Sequence, residues 1–429
     1  MTYSIAAQEF PGVPRDFNPS QDGARSNPLR VRIFNVKYSP NLGDGLLSEC
    51  LEQALIDCGA HADTRSVDLA GRKAYGPGPA QRGALIRALH MLPPPVRQLS
   101  VRLPLAIQSR RRWQPHYSAA LLGAECVVIG GGNLIVDLDL NFPTKIALAI
   151  RTAEQRGLPA FIYGCGMSSG WSREGHARMS RALERGVLRG VFLRDERSRL
   201  LWNAEFGEAH GLPALVVPDP GLLASYRYES GMKELPTRTG RSVIGLNITS
   251  PVAVRYHSSQ PVETGGLERW YCDLAQELAI AGHEVRLFTN GSPEDRACAL
   301  RVRAALQSST WSERFSHAQP ETPAELAILI GGFQGLVAFR MHAVIASYSY
   351  RVPFVALQWD PKLDSFVQSV ARGDWLIDPF DTSPQTAGAL LGRAMACGIE
   401  AEAHATVMER ARAGVAMLHA EIVQAVMRA

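Results

Sequence analysis

The stretch GLVAFRMHAVIASYSYRVPFVALQWDPK, residues 335–362, begins with an apolar run that is too short for a helix. Residues 335–339 therefore predict a buried β-strand, and the spacing of residues 341–350 is compatible with a helix. Arg340 and His342 then lie at a strand-to-helix junction. In an open α/β sheet this junction is the carboxyl edge, where ligands bind and where free N–H groups of the helix attract anions. We therefore expect an α/β fold with a site for an anionic substrate at these two residues.

A second apolar run in the same stretch, residues 352–357, predicts a neighbouring strand that ends shortly before Trp359. Asp360 and Lys362 follow it and should reach the same edge of the sheet, so both are candidate site residues. Each candidate also has an ordinary structural interpretation, such as a salt bridge for an arginine, core hydrogen bonds for a histidine or a turn for an aspartate. The sequence leaves these alternatives open.

The strand–loop–helix pattern recurs along most of the chain and forms two units. The predicted strands of the first unit are residues 31–36, 124–129, 160–163, 190–193 and 215–217, and those of the second are residues 243–247, 284–288, 335–339 and 352–357. A charged segment with Gly and Pro, residues 226–241, predicts a linker between them. We expect two Rossmann-like doubly wound domains, residues 31–225 and 242–400, that face each other across a cleft.

The two ends of the chain differ from these domains. Residues 1–30 are rich in Pro, Gly, Ser and Asn and lack the basic and apolar regions of a signal peptide, which predicts a flexible arm. Residues 401–429 predict one long final helix that packs back on the first domain. No apolar run approaches the roughly 18 residues of a membrane span, so we expect a soluble protein. The seven scattered cysteines indicate reduced thiols and hence a cytoplasmic location.

The composition is that of an ordinary globular protein, with 429 residues, 46% hydrophobic residues and a net charge of +4. A charge this small gives no indication of a nucleic acid partner. The seven cysteines have no CxxC spacing, and no cluster of His, Asp and Glu has the spacing of metal ligands, so we expect no bound metal. The GxGxxG and GxxxxGK[ST] motifs are absent, which argues against NAD and against a P-loop.

The loop after the first predicted strand has the sequence KYSPNLGD and supplies three further candidates. It places Asn41, Gly43 and Asp44 at the start of a helix. Asp44 is either the N-cap of that helix or a group that accepts a proton during a reaction.

Two more loops of the first unit carry candidate ligand-binding residues. Gly131, Gly132 and Asn133 follow the strand at residues 124–129, where glycines let the backbone approach a ligand closely or form a tight turn. Arg194 follows the strand at residues 190–193, where it either binds a ligand or forms a surface pair beside a helix cap. A glycine-rich loop alone is a weak signal.

Taken together, the motifs NLGD, VVIGGGNLIVD, FLRDERS, VVPDPG and VAFRMHAVIASYSYRVPFVALQWDPK resemble those of the polysaccharide pyruvyl transferases in order and approximate spacing. The resemblance extends from about residue 31 to 378. It implies a GT-B-like fold and transfer of pyruvate from phosphoenolpyruvate onto two hydroxyls of a sugar as a ketal. It also implies that Arg194, Arg340 and His342 take part in phosphoenolpyruvate binding and catalysis. Residues 72–117 have no match in the family pattern, so the part of the site that binds the acceptor sugar is not defined by the resemblance.

The chemistry of that reaction suits these residue types. Two arginines can bind the carboxylate and the phosphate of the donor through paired, charge-assisted hydrogen bonds. His342 is the natural acid to protonate the enol methylene, which makes C2 electrophilic toward a sugar hydroxyl. A general base must accept the hydroxyl proton, and Asp44 is the first candidate and Asp360 the second. The donor itself serves as a substrate, so no cofactor is expected.

The unmatched segment has a composition of its own. Residues 69–124 contain no Asp or Glu, and apolar side chains that include Trp113 alternate with basic ones. The basic residues are Arg72, Lys73, Arg82, Arg87, Arg97, Arg102, Arg110, Arg111 and Arg112. This combination is typical of an interfacial contact, so we expect residues 72–117 to bring the protein to a lipid-linked glycan at an anionic membrane face. The alternative is a solvated basic lobe with a small core.

Two other classes of function fit the same pattern. A nucleotide-sugar glycosyltransferase would use Arg194 and Arg340 to bind a diphosphate, but no acidic ribose-binding signature stands out in the second unit. A noncatalytic polysaccharide-assembly protein would keep the fold, but it would not need His342 together with both arginines. The sequence therefore favours the pyruvyl transferase.

Overall fold

The computed structural model describes residues 27–76, 102, 104–229, 240–252 and 265–428. These residues form two six-stranded parallel sheets with helices on their faces. The first sheet is built from residues 31–216 and the second from residues 243–377. The predicted fold class, two Rossmann-like doubly wound domains, is confirmed.

The first sheet has the strand order β2-β1-β3-β4-β5-β6, and its strand pairs are parallel. Its strands are Val31–Asn35 (β1), Arg65–Asp68 (β2), Cys126–Ile135 (β3), Ala160–Met167 (β4), Leu188–Leu193 (β5) and Ala214–Val216 (β6). The central strands are buried along their whole length, because helices cover both faces of the sheet. This explains their continuous apolar runs in the sequence.

The second sheet has the order β12-β11-β10-β7-β8-β9 and is also parallel. Its strands are Val243–Asn247 (β7), Glu284–Phe288 (β8), Phe315–His317 (β9), Gly335–Ala338 (β10), Phe354–Leu357 (β11) and Leu376–Ile377 (β12). Strands β10 and β11 lie side by side, so the residues that follow them meet at one edge as predicted.

Most helices begin after a polar N-cap, and most come after a strand in the chain. Those beside the first sheet are Leu42–Asp57 (α1), Gln114–Ala120, Asn141–Glu154, Arg173–Leu183, Glu196–Trp202, Glu208–His210 and Ala224–Arg227. The others are Gly266–Ile280, Pro293–Leu306, Pro323–Gly331, Met341–Ser349, Pro361–Ser369, Pro384–Cys397 and Ala401–Met427. Short π-helical turns lie at Ser109–Trp113 and Asn203–Gly207, and 3-10 turns at Pro220–Leu223, Ser312–Arg314 and Gly373–Trp375. In the described part of the chain, none of the helices is long and apolar enough to cross a bilayer.

The two domains share a buried core. The helix Met341–Ser349 of the second domain packs on the 3-10 turn Pro220–Leu223 of the first, and Ser349 Oγ donates to Leu222 O at 2.6 Å. A second contact is made by the Leu42 N–H, which donates to Asn290 O at 2.7 Å and so joins the start of α1 to the loop after β8. The domains therefore contact each other through at least two elements of the first domain.

The final helix, Ala401–Met427, spans both domains. Near its start, the His404 ring lies 3.1 Å from Ser349 O of the second domain. Further along, Gly414 faces Tyr163 of β4, and a Cβ at this glycine would lie 3.0 Å from the tyrosine oxygen. The helix therefore contacts the first domain at a point where only a very small residue fits.

Two glycine-rich segments that the sequence assigns to loops are strand instead. β3 and β4 stay paired from Val127 and Ala160 to Ile135 and Met167, although the register shifts on the way. Glycines with positive φ absorb this irregularity without ending the strands. Strands β2 and β9 were missed because they are short and not strongly apolar, and β12 because it has only two residues.

Several predictions fall partly outside the described residues, namely residues 1–26 of the predicted arm, 230–239 of the linker and 77–101 and 103 of the basic insertion. The end of the arm belongs to the first domain, because Leu29 is buried and its carbonyl accepts from His61 N at 2.9 Å. Trp113 is 2% exposed, and the Lys145 ammonium lies 4.9 Å from its ring. The expectation that Trp113 lies at a membrane interface is therefore wrong, because this side chain belongs to the core.

Candidate active site

His342 lies between two carboxylates of the other domain. It occupies the first turn of the helix Met341–Ser349, directly after β10, and is 7% exposed. Its Nε2 atom is 3.9 Å from Asp219 Oδ2, and its Nδ1 atom is 4.0 Å from Asp44 Oδ1. Among the described residues, Nε2 has no hydrogen-bond partner. The predicted strand-to-helix junction thus delivers a buried imidazole to the boundary between the domains.

Arg194 reaches the same carboxylate from the end of β5. Its side chain is 3% exposed, and Nη1 lies 3.4 Å from Asp219 Oδ2. The guanidinium covers Gly166, where a Cβ would come within 2.8 Å of it. Asp219 therefore lies between Arg194 and His342, and it is held in place by accepting from Gly221 N at 2.9 Å.

Arg340 carries the ordinary salt bridge that the sequence left open. Its Nε and Nη2 atoms both donate to Asp295 Oδ2, at 3.0 and 2.5 Å. Asp295 is fully buried and also accepts from Ser250 N at 2.8 Å. The guanidinium lies 5.4 Å from the Trp359 ring. Arg340 is therefore held by Asp295, two residues along the chain from His342.

Lys362 joins the two sheet edges. Its ammonium lies 3.2 Å from Asp360 Oδ2, and Asp360 Oδ1 caps the helix Pro361–Ser369 by accepting from Lys362 N at 3.0 Å. With its oxygen turned toward the ammonium, the Asn133 amide accepts from Lys362 Nζ at 2.9 Å and donates to Gly166 O at 3.2 Å. Burial lowers the pKa of Lys362, and the pair with Asp360 opposes this shift. Asp360 therefore has the structural roles of cap and ion-pair partner.

The residue of the NLGD loop that caps α1 is not Asp44. The N-cap is Asn41, whose Oδ1 accepts from Gly43 N at 3.2 Å, so the N-cap assignment for Asp44 is wrong. Because Asp44 does not cap the helix, its carboxylate is directed toward His342. Burial raises the pKa of Asp44, and His342 opposes the shift. A carboxylate with a raised pKa is a better proton acceptor near neutral pH.

The predicted glycines have different roles. A Cβ at Gly43 would lie 2.7 Å from His342 Cβ, so this position lets the helix start touch the imidazole. At Gly131, with φ +84°, a Cβ would lie 2.0 Å from Leu47 Cδ1, which makes it a packing glycine between β3 and α1. At Gly132, with φ +77°, the nearest atom to a Cβ is Asp44 Oδ1 at 4.0 Å. Gly43 and Gly132 therefore lie beside His342 and Asp44, whereas Gly131 packs against Leu47 of α1.

We expect Gly43→Ala to destabilise the protein by about 1–3 kcal/mol and to lower its activity, because the new methyl group would displace His342. In an unobstructed helix the same change is neutral or stabilising. The matched control is Gly392→Ala, where a Cβ meets nothing within 4 Å. Chemical denaturation of both variants checks this, and equal stabilities would contradict the contact.

The pKa of His342 predicts how stability depends on pH. Burial lowers this pKa, whereas Asp219 and Asp44 raise it and the two arginines lower it. The unfolded chain therefore binds a proton at a pH at which the folded imidazole stays neutral, so stability falls as pH drops below about 6.5. We expect the free energy of unfolding of His342→Gln to decline less steeply, by at most about 1.4 kcal/mol per pH unit. Denaturation curves between pH 5 and 7.5 test this, and parallel curves would contradict it.

Asp219 and Asp295 are the site residues that sequence reasoning missed. Asp219 was detectable, because it belongs to the VVPDPG motif and follows β6 at the expected sheet edge. Asp295 lies inside a helix after a Pro and gave no signal, since its partner Arg340 is distant in the chain. Within the described ranges, no group of three or more His, Cys, Asp or Glu side chains is placed to hold a metal ion.

Comparisons with known proteins bear on this cluster. A family model for polysaccharide pyruvyl transferase matches residues 41–361. This range includes the charged site residues Asp44, Arg194, Asp219, Asp295, Arg340, His342 and Asp360, and it ends one residue before Lys362. A comparison with curated protein sequences gave no match.

Several solved structures are similar in outline. S. aureus MnaA in complex with UDP has 11% identity and a TM-score of 0.48, with 90% of this chain and 91% of that chain covered. The E. coli ADP-heptose LPS heptosyltransferase II has 14% identity and a TM-score of 0.41, with coverages of 86% and 99%. The UDP-GlcNAc 2-epimerase from Methanocaldococcus jannaschii has 9% identity and a TM-score of 0.48, with coverages of 88% and 94%.

Proposed function

Because this chain belongs to the polysaccharide pyruvyl transferase family, we propose that it moves the pyruvate unit of phosphoenolpyruvate onto a sugar as a ketal and releases phosphate. The acceptor is a sugar of a polysaccharide or of its lipid-linked precursor. The observation that carries the proposal is the convergence of Arg194 and His342 on Asp219 from different domains, with Arg340 and Lys362 nearby.

The cluster is suited to a small molecule with several negative charges. Arg194, Arg340 and Lys362 supply three cationic side chains from two domains. Guanidinium forks fit the planar carboxylate and the phosphate, and the ammonium supplies a compact charge. Binding of the donor would exchange part of the contact with Asp219 for contact with the substrate. The same exchange applies to the pairs of Arg340 with Asp295 and of Lys362 with Asp360.

His342, the proposed acid, must be protonated to act, and burial disfavours its protonated form. In the structure, the pKa of His342 is lowered, so its neutral form predominates near pH 7. The phosphate and carboxylate of the donor would bring negative charge beside the ring and raise its pKa. Protonation of His342 is therefore coupled to donor binding, which restricts proton transfer to the loaded site.

The steps then follow from the positions of the groups. His342 gives its proton to the enol methylene, which becomes the methyl group of the pyruvyl unit. A sugar hydroxyl attacks C2 and loses its proton to Asp44, which lies on the other side of the imidazole. Phosphate leaves, and the neighbouring hydroxyl closes the ketal while its proton departs with the phosphate. Asp360 is the less suitable base, because it is committed to its helix cap and to Lys362.

The direct test is phosphate release from phosphoenolpyruvate in the presence of candidate glycans. Thermal stability adds a test that needs no acceptor, because a ligand that binds the folded state raises the melting temperature. We expect phosphoenolpyruvate to stabilise the protein and nucleotide sugars to have no effect. Stabilisation by a nucleotide sugar alone would instead favour a glycosyltransferase.

We also propose that the protein works in the cytoplasm at an anionic membrane face. The observation in favour is that Arg110, Arg111 and Arg112 are exposed on one turn, with Ile107 exposed nearby. Basic and apolar side chains on one surface bind anionic lipids. Sedimentation with anionic vesicles at low and high salt tests this contact, and absence of binding at low salt would exclude it.

A further inference from the structure

Two neighbouring cavities lie on the first domain, and the charged side chains of the proposed active site line neither of them. The larger has a volume of about 670 Å³ and lies beyond the carboxyl ends of β3 and β4, where Trp171 and Ser172 line it. The smaller has a volume of about 360 Å³ and lies between the helical residues 104–114 and the helix Asn141–Glu154, with Arg178 at its border. Arg102 and Leu140 line both cavities, so the two are separated only by these side chains.

The larger cavity begins close to the proposed active site. Asn133, which meets Lys362, is 3.2 Å from Ser168 Oγ. The Ser168 carbonyl accepts from Trp171 Nε1 at 2.9 Å, and Trp171 lines the cavity. A molecule that reaches from the cluster along this sheet edge therefore enters the larger cavity first and the smaller one next.

The smaller cavity is strongly basic. Among the described residues that line it, four are arginines and none is an aspartate or glutamate. These arginines are Arg102, Arg110, Arg151 and Arg178. Arg102 and Arg178 share a single carboxylate, Glu174, at the border with the larger cavity.

The other two arginines are available for a ligand. Within the described part of the chain, neither Arg110 nor Arg151 forms an ion pair, and Arg151 Nε is buried without a hydrogen-bond partner. A buried guanidinium N–H without a partner is costly unless an acceptor occupies the space beside it. The chemistry that satisfies it is that of an anion with several acceptor oxygens.

We propose that the two cavities form the acceptor site, with the sugar in the larger and a phosphate group of the acceptor in the smaller, on Arg110 and Arg151. This inference rests on the proposed pyruvyl transfer. The larger cavity offers an aromatic side chain, Trp171, with polar groups around it, as sites for small polar molecules do. The smaller offers guanidinium forks, which match the geometry of phosphate oxygens. A phosphate linked to a prenyl lipid and one linked to a nucleoside present the same chemistry here.

The first experiment measures binding of inorganic diphosphate and does not depend on turnover. The double variant Arg110→Gln/Arg151→Gln is expected to bind it at least tenfold more weakly than the wild type, because two charge-assisted contacts are lost. The matched control is Arg111→Gln/Arg156→Gln, which removes two positive charges outside the cavity lining. The control is expected to bind within twofold of the wild type. Equal affinity of the two double variants would overturn the proposal.

The cluster at Arg194 and Arg340 can also attract diphosphate, so the comparison between the two double variants carries the result. Melting temperatures of both variants establish that each is folded. If Arg151→Gln alone prevents folding, the single variant Arg110→Gln replaces the double variant and is compared with Arg111→Gln. In that case a threefold or greater loss of affinity confined to Arg110→Gln is the expected result, and no loss would contradict the proposal.

The second experiment uses the same sugar in three forms as acceptor: free, linked to a prenyl diphosphate and linked to a nucleoside diphosphate. We expect the wild type to have an acceptor KM at least tenfold lower for one of the linked forms, and the better form identifies the source of the phosphate. The cavity double variant should lose this advantage and keep its KM for phosphoenolpyruvate. Equal KM values for all three acceptors would overturn the inference. If no acceptor releases phosphate from phosphoenolpyruvate, the pyruvyl transfer itself is wrong, and the diphosphate measurement still decides whether the cavity binds.

Discussion

The variant His342→Ala is expected to transfer pyruvate about 10²–10⁴-fold more slowly than the wild type, because it lacks the proposed general acid. The imidazole lies between Asp44 and Asp219 at the domain boundary. The arginines and Lys362 remain in the variant, so phosphoenolpyruvate should still stabilise it against heat. The expected pattern is therefore a large loss of kcat with a small change in KM for the donor.

A suitable control is His404→Gln. His404 is also a partly buried histidine near the same helix, but its ring contacts the Ser349 carbonyl instead of the carboxylate cluster. Its loss should alter stability and leave the rate of pyruvyl transfer within about twofold, since it does not contact the reacting groups. Steady-state rates of phosphate release compare the two variants. A His342→Ala protein that is as fast as His404→Gln would exclude the acid role.

The variant Arg194→Lys is expected to raise the KM for phosphoenolpyruvate by about 10- to 100-fold, the range that corresponds to one lost hydrogen bond with a charged group. Lysine keeps the positive charge beside Asp219 but replaces a planar fork with a point charge. The fold should survive, because Asp219 keeps a cationic neighbour. The more severe Arg194→Ala leaves that carboxylate buried without this partner and is expected to cost about 3–5 kcal/mol of stability.

Arg199→Lys provides the matched control for this substitution. Arg199 lies on the helix that follows Arg194, is partly exposed and pairs with the exposed Glu196. An exposed pair contributes little, so the KM of this variant should equal that of the wild type. Titration of phosphoenolpyruvate in the phosphate-release assay measures both variants. If Arg194→Lys also keeps the wild-type KM, Arg194 does not contact the donor.

The sequence predicted local features of the fold better than contacts between distant residues. The apolar run before Arg340 and the helical spacing after it depend on neighbouring residues alone, so the strand-to-helix junction at His342 was predictable. The three glycines of β3 led to a wrong prediction. Glycine often marks the end of a strand, but here the pairing with β4 continues past the glycines. The residue pattern of one segment does not show which other strand pairs with it.

The site was predicted in part for the same reason. Arg340 and His342 were placed correctly, but the carboxylates that they meet, Asp295 and Asp219, come from segments far away in the chain. The N-cap of α1 shows the limit at short range, because Asn41 and Asp44 are both good caps and only the backbone geometry distinguishes them. Trp113 fits both an interface and a core, and its contact with Lys145 places it in the core.

The hydrogen bond from Leu42 N to Asn290 O has a consequence for the catalytic cycle. The side chains proposed to bind the donor are almost inaccessible while this bond joins the two lobes, since those of Arg194 and Asp219 are 3% and 2% exposed. A donor that contacts these side chains must therefore displace contacts that the two domains now make with each other, such as the approach of His342 Nε2 to Asp219 Oδ2 at 3.9 Å.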